Sequence, residues 1–201
     1  MDCARRSEPP PATLARRSAK IVIAGGFAVG KTTFVEAVSE IPPVRTEELI
    51  TQASAGIDSL ARVPAKTTTT VGIDFGRIHI NDELVLYLFG LAGQDRFQQT
   101  VSRETAYGAL GALVLVDTRD LDASHSALTL LEEEGVPYAV AVNRFAGAPR
   151  YPSAEIRQAL GLETGALLNT CDAREHRSGL LTLIDLLSYL TSRHHALERR
   201  L

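Results

Sequence analysis

Two cysteines, Cys3 and Cys171, are all that the chain contains, and two thiols do not make a disulfide framework. Cys171 falls in Leu167-Leu168-Asn169-Thr170-Cys171, where a small buried core residue is the expectation. No apolar run reaches the roughly eighteen uninterrupted residues that a membrane helix needs. The first residues lack the apolar core of a signal peptide. Asp2 stands where N-myristoylation needs glycine. The expected location is therefore cytoplasmic, with any membrane contact peripheral. Basic charge is not in excess, since the net charge is −3, so nothing here suits a nucleic-acid backbone. The 201 residues, 45% of them hydrophobic, suffice for one well-buried domain.

Lysine is scarce too: only Lys20, Lys31 and Lys66. One of them completes a motif. Gly25-Gly26-Phe27-Ala28-Val29-Gly30-Lys31-Thr32 reads GGFAVGKT, a full G-x-x-x-x-G-K-[ST] phosphate-binding loop. The apolar run Ile21–Ala24 precedes it, and Thr33 with Phe34–Val38 follows as a helix signal, which is the strand–loop–helix setting the motif requires. Its glycines let successive N–H groups turn inward to cradle phosphates, and the helix N-terminus adds partial positive charge. Lys31 is placed to reach the β- and γ-phosphates and the Thr32 hydroxyl to sit on Mg²⁺.

Residues 1–19 form a Pro- and Arg-rich tail without periodicity, expected to be disordered. Residues 20–196 then alternate strand and helix signals as one domain, and 197–201 end the chain. Strand runs are Lys20–Ala24, Thr70–Ile80, Leu84–Phe89, Gly111–Val116, Tyr138–Val142 and Leu167–Thr170. Helix signals cover Thr32–Ser39, Glu47–Leu60, Gln98–Tyr107, Ser124–Glu134, Ala154–Leu160 and Ser178–Arg193. Near-continuous apolar strands argue for an α/β sheet covered on both faces. Only Asn81-Asp82-Glu83 separates the second and third strands. That is too short for a parallel crossover, so those two strands form an antiparallel hairpin. The apolar parity changes along the first of them, and a bulge near Gly76 would reconcile it.

Other chemistry-bearing positions cluster at the carboxyl ends of strands, where open α/β sheets bind ligands. Thr70 opens a strand and could close over Mg²⁺ and the γ-phosphate. Gly93 could offer its N–H to that phosphate, and Gln94 could orient an attacking water. Asn143-Arg144-Phe145-Ala146 and Thr170-Cys171-Asp172-Ala173-Arg174 end two later strands. Leu113–Asp117 resembles an apolar strand ending in the Mg²⁺-holding aspartate of P-loop ATPases. Beside these readings stand plain ones: β-propensity for the threonine run, and a polar turn around Gly93.

Together these residues resemble the Ras-like small GTPases over nearly all of residues 20–195. The chain is most similar to the bacterial small GTPases that pair with roadblock-domain partners, the conservon type. KIVIAGGFAVGKTTFVEAVSEIPP, RTEELITQASAGID, TTTTVGIDFGRI, LYLFG, AGQDRF, LVLVDTR and TCDAR carry that likeness. The resemblance implies a P-loop NTPase of the Ras-like G-domain kind, with a six-stranded, mostly parallel sheet, one antiparallel hairpin strand and helices on both faces. It implies GTP or GDP as bound nucleotide, Mg²⁺, a roadblock-domain regulatory partner and a sensor-type signalling complex. Thr70 resembles the switch I threonine, and Gly93 and Gln94 the switch II pair. Asn143 and Arg144 resemble the start of the N-K-x-D base-reading motif, and Cys171, Asp172 and Ala173 the S-A-K loop.

Three departures matter. Gly90 stands where most small GTPases begin switch II with the aspartate of the metal's water shell. Ala92 replaces a proline of the close relatives. Ala146 replaces the carboxylate that accepts two guanine N–H bonds. The leading reading is a GTP-hydrolysing molecular switch, with Arg77, Arg96 and Arg103 as candidate arginine fingers. Two alternatives stay open: a P-loop ATPase, and a nucleotide-bound interaction module with negligible turnover.

Overall fold

The computed structural model describes residues 17–42, 44–49, 70–91 and 102–199. Seven strands form one sheet in the order β2-β3-β4-β1-β5-β6-β7. They are β1 (Arg17–Ala24), β2 (Val44–Leu49), β3 (Thr70–Asn81), β4 (Leu84–Gly90), β5 (Gly111–Val116), β6 (Tyr138–Asn143) and β7 (Leu168–Cys171). The described helices are α1 (Lys31–Val38), α2 (residues 102–106), α3 (His125–Glu133), α4 (Ser153–Ala159) and α5 (His176–Glu198). β1 pairs in parallel with β4 and β5, and β5–β6–β7 continue in parallel. β3 runs antiparallel to both β4 and β2.

The sheet is buried on both faces because successive residues of β1 feed opposite cores. Ile21 and Ile23 join Phe34, Leu86, Leu88, Leu113, Leu115 and Leu186 on the α1/α5 side. Val22 and Ala24 join Val114, Leu128, Leu131, Val140 and Ile156 on the other. With a period of two, that double burial turns an alternating strand into a continuous apolar run. Full burial of each such side chain contributes about 1.5–3 kcal/mol.

All six expected strands are present, and a seventh joins the edge. Glu47–Leu49, expected at the start of a helix, lie in β2, where Glu48 pairs with Val71 and Leu49 with Thr70. The ladder against β3 overrides the helix preference of Glu-Glu-Leu; residues 50–60 of that expected helix lie outside the described residues. β1 begins at Arg17, whose N–H donates to the Glu83 carbonyl at 2.9 Å. Three residues assigned to the tail are therefore paired with β4, and α5 runs past residue 196. No bulge occurs at Gly76. The register shift falls between His79 and Asn81, and the parity change has another cause. Ile78 belongs to the α1/α5 core, whereas Phe75 stacks against Tyr87 and meets Phe89 edge-on, so the strand serves two apolar faces.

Candidate nucleotide site

The phosphate loop links the end of β1 to α1. Gly25 has φ +132° and Gly30 φ +96°, values that side chains rarely adopt. A Cβ on Gly25 would lie 2.2 Å from the Leu115 carbonyl oxygen. Ala28, at the exposed crest beside Phe27, also has positive φ, 58°. Val29 points inward and is buried. Backbone N–H groups in such turns form an anion-binding concavity. α1 begins directly after Gly30, with no acidic residue in its first turn and no side-chain cap. Its terminal N–H groups and the positive end of its dipole therefore have no capping side chain and no acid from the helix itself.

Lys31 folds back across the loop, and its Nζ donates to the Gly26 carbonyl at 2.6 Å and the Gly25 carbonyl at 3.1 Å. Burial pushes its pKa down to about 8, with Asp74 pulling the other way. A half-buried cation held mainly by carbonyl oxygens is well matched to an arriving phosphate. The hydroxyl of Thr32 donates to Asp74 Oδ2 at 2.5 Å. Thr33 is exposed.

The loops that follow β6 and β7 are fastened to the glycine-rich loop by Asn143, which is buried at the end of β6. Its Nδ2 donates to the Val29 carbonyl at 2.9 Å, and its Oδ1 accepts from the Ala173 N–H at 3.0 Å. The Asp172 N–H donates to Ser178 Oγ and the Arg174 N–H to Asp172 Oδ1. The donors of this loop are thus already engaged within the protein. Arg174 grips Asp172 and holds that carboxyl at about 2, below its ordinary range. The Arg144 N–H donates to the Cys171 carbonyl, and its guanidinium reaches Thr170 Oγ1 at 3.3 Å. Ala146 is exposed and supplies no carboxylate.

The structure thus brings together Gly25–Thr33, Asn143 and Ala173. Thr70 is the first residue of β3, paired with Leu49. Gly93, Gln94 and Arg96 lie outside the described residues. Of the other arginine-finger candidates, Arg103 is bound to Glu133 and Glu134 at the C-terminal end of α3, which leaves it occupied. Asp117, the ATPase-type metal candidate, is instead gripped by Arg119, whose Nε lies 2.9 Å from Oδ2. Arg119 in turn lies over the Phe145 ring at 4.2 Å. Sequence reasoning passed over two things: this Asp117–Arg119–Phe145 stack, and Asp74, whose only signal was an acid inside a β-strand motif.

Comparison with known proteins agrees with this architecture. The model of a family described as "conserved hypothetical ATP binding protein" matches residues 23–193. No curated protein matches. Among solved structures, the chain is similar to the G domain of the T. maritima FeoB iron transporter (17% identity, TM-score 0.57, covering 88% of this chain and 98% of that one). It is also similar to the FeoB G domain of Methanococcus jannaschii (16%, 0.51, 88% and 99%). A third is the elongation factor SelB of Methanococcus maripaludis, complexed with a GTP analogue (15%, 0.56, 89% and 35%). At these identities the likeness shows a shared fold: this is an α/β P-loop fold of the G-domain kind.

Proposed function

Because the chain belongs to the family of conserved hypothetical ATP-binding proteins, we propose that it is a nucleoside-triphosphate switch. It binds GTP, hydrolyses it to GDP with Mg²⁺, and cycles between two partner-binding states. The observation that carries this reading is the phosphate loop. Gly25 and Gly30 hold the turn, the half-buried Lys31 lies across it, and α1 presents an uncapped N-terminus. Thr32 and Thr70 are the residues that would hold the metal, which would neutralise charge on the β- and γ-phosphate oxygens. The fit is chemical. Thr32 offers a hard oxygen, and the described residues contain no cluster of three or more His, Cys, Asp or Glu, so phosphate and water would complete the shell.

In this reading the γ-phosphate orders Thr70 and Gly93, and its loss releases them. Gln94 orients the attacking water. Turnover is slow without a partner that supplies or arranges an arginine finger, since Arg103 is held by Glu133 and Glu134. A roadblock-domain protein in a bacterial signalling complex is the partner that the sequence resemblance supports. Cytoplasmic location, with any membrane contact made through partners, belongs to the same proposal. Among the described residues no helix is long and apolar enough to cross a membrane.

One observation favours a second reading at the base. With Ala146 in the carboxylate's place and the N–H groups of Asp172, Ala173 and Arg174 engaged internally, little remains to tell guanine from adenine. ATP would then enter the same phosphate site. Replacing Lys31 by alanine tests the reading common to both. Nucleotide binding should be lost while the circular-dichroism spectrum stays that of the wild type. Retained affinity would remove the phosphate loop from the account.

A further inference from the structure

Asp74 and Gly90 are register partners across the antiparallel β3–β4 pair. A Cβ built on Gly90 would lie 3.0 Å from Asp74 Cβ and 3.2 Å from Asp74 Oδ2. The Asp74 side chain thus borders the space into which any side chain at position 90 would project. The same Oδ2 accepts the hydroxyl proton of Thr32 at 2.5 Å. Taken alone, Gly90 is the loss of a carboxylate at the end of β4. In the folded chain a carboxylate stands at that spot, delivered from the neighbouring strand.

We infer that Asp74 is the acidic group of the Mg²⁺ site, doing from β3 what a carboxylate at position 90 would do from β4. This rests on the nucleotide-binding reading above. A threonine hydroxyl that ligates a cation through oxygen still has a proton to donate, and the Asp74 carboxylate is placed to accept it. A carboxylate so placed accepts from a metal-bound water by the same chemistry as from that hydroxyl. Mg²⁺ keeps several waters and takes one or two carboxylates beside substrate phosphates, so one hydroxyl and one carboxylate are a sufficient protein contribution. Glycine at 90 then becomes a requirement, because a larger residue would push Asp74 off Thr32. Thr70 also lies on β3. One strand would therefore carry both the threonine and the acid that respond to the metal, and a shift of β3 would release them together.

The test is the dissociation rate of a fluorescent N-methylanthraniloyl-GDP from the full chain, in Mg²⁺ and in EDTA. The variants are Asp74→Asn and the exchange Asp74→Gly with Gly90→Asp. In the wild type Mg²⁺ should slow dissociation about tenfold or more, which is about 1.4 kcal/mol. In Asp74→Asn that ratio should collapse to about threefold or less, or about 0.7 kcal/mol, while the rate in EDTA stays near the wild-type value. The exchange should recover most of the ratio, which a merely structural role for Asp74 would not produce. An intact Mg²⁺ effect in Asp74→Asn would overturn the inference. So would an equal loss of binding in EDTA and in Mg²⁺, or a wild type indifferent to Mg²⁺, and in this last case nucleotide binding itself would stand. No binding of nucleotide by the wild type in either condition would overturn both readings.

Discussion

The side-chain nitrogen of Asn143 lies 2.7 Å from the point that a Cβ on Gly30 would occupy. Position 30 is therefore closed to side chains from outside as well as by its own φ of +96°. Asn143 approaches this closely because it bridges two loops, donating to Val29 and accepting from Ala173. Replacing Asn143 by alanine would strand a buried carbonyl and a buried N–H, at about 1–3 kcal/mol for each unsatisfied group. The expected outcome is a lower urea midpoint and nucleotide affinity reduced by about tenfold or more, a cost of 1.4 kcal/mol. An unchanged midpoint would mean that the loops are held by something else.

Ala146→Asp should sharpen base choice. The new carboxylate would accept two guanine N–H bonds, each worth about 1.5–3 kcal/mol. Guanine preference over adenine should rise by roughly 10²- to 10⁴-fold, read as the ratio of GDP to ADP affinities in competition. No change in that ratio would place the base elsewhere.

Burial raises the thiol pKa of Cys171 to about 12, and the neighbouring Asp172 adds to it. The folded protein should therefore resist iodoacetamide at pH 8.5, because the thiolate is the nucleophile, and should react on unfolding. The variant Cys3→Ser leaves Cys171 as the single reporter. The sign of the linkage follows. The folded pKa lies above the unfolded one, so the stability gained from the buried neutral thiol is full below about pH 9 and is lost as pH rises toward about 12. Rapid labelling of the native protein at pH 8.5 would contradict this.

Gln94→Leu should slow single-turnover hydrolysis by tenfold or more, about 1.4 kcal/mol of barrier, with little change in nucleotide affinity. Unchanged turnover would take Gln94 out of the mechanism.

Much of this was legible in the chain because burial on both faces writes strands as apolar runs. Ile21–Ala24, Gly111–Val116 and Tyr138–Val142 are examples, and the three-residue gap at 81–83 marked the hairpin. The phosphate loop was legible because its chemistry constrains glycine, lysine and threonine at fixed spacing. The seventh strand was not, since Val44–Leu49 carries helix-favouring residues and becomes a strand only through its ladder to β3. Asp74 was missed for a related reason. Its meaning depends on the register that sets it opposite Gly90 and on a hydrogen bond to Thr32, forty-two positions away in sequence. The parity change along β3 pointed to a bulge at Gly76 because one strand cannot show which neighbours cover its two faces.

The most direct measurement is a competition titration of GDP, GTP, ADP and ATP against the wild type and Lys31→Ala, with and without Mg²⁺. The account predicts that the wild type binds all four, with guanine ahead of adenine by no more than about tenfold, or 1.4 kcal/mol. It also predicts that Lys31→Ala binds none. A wild type that binds no nucleotide, or a Lys31→Ala variant that binds as tightly as the wild type, would contradict it.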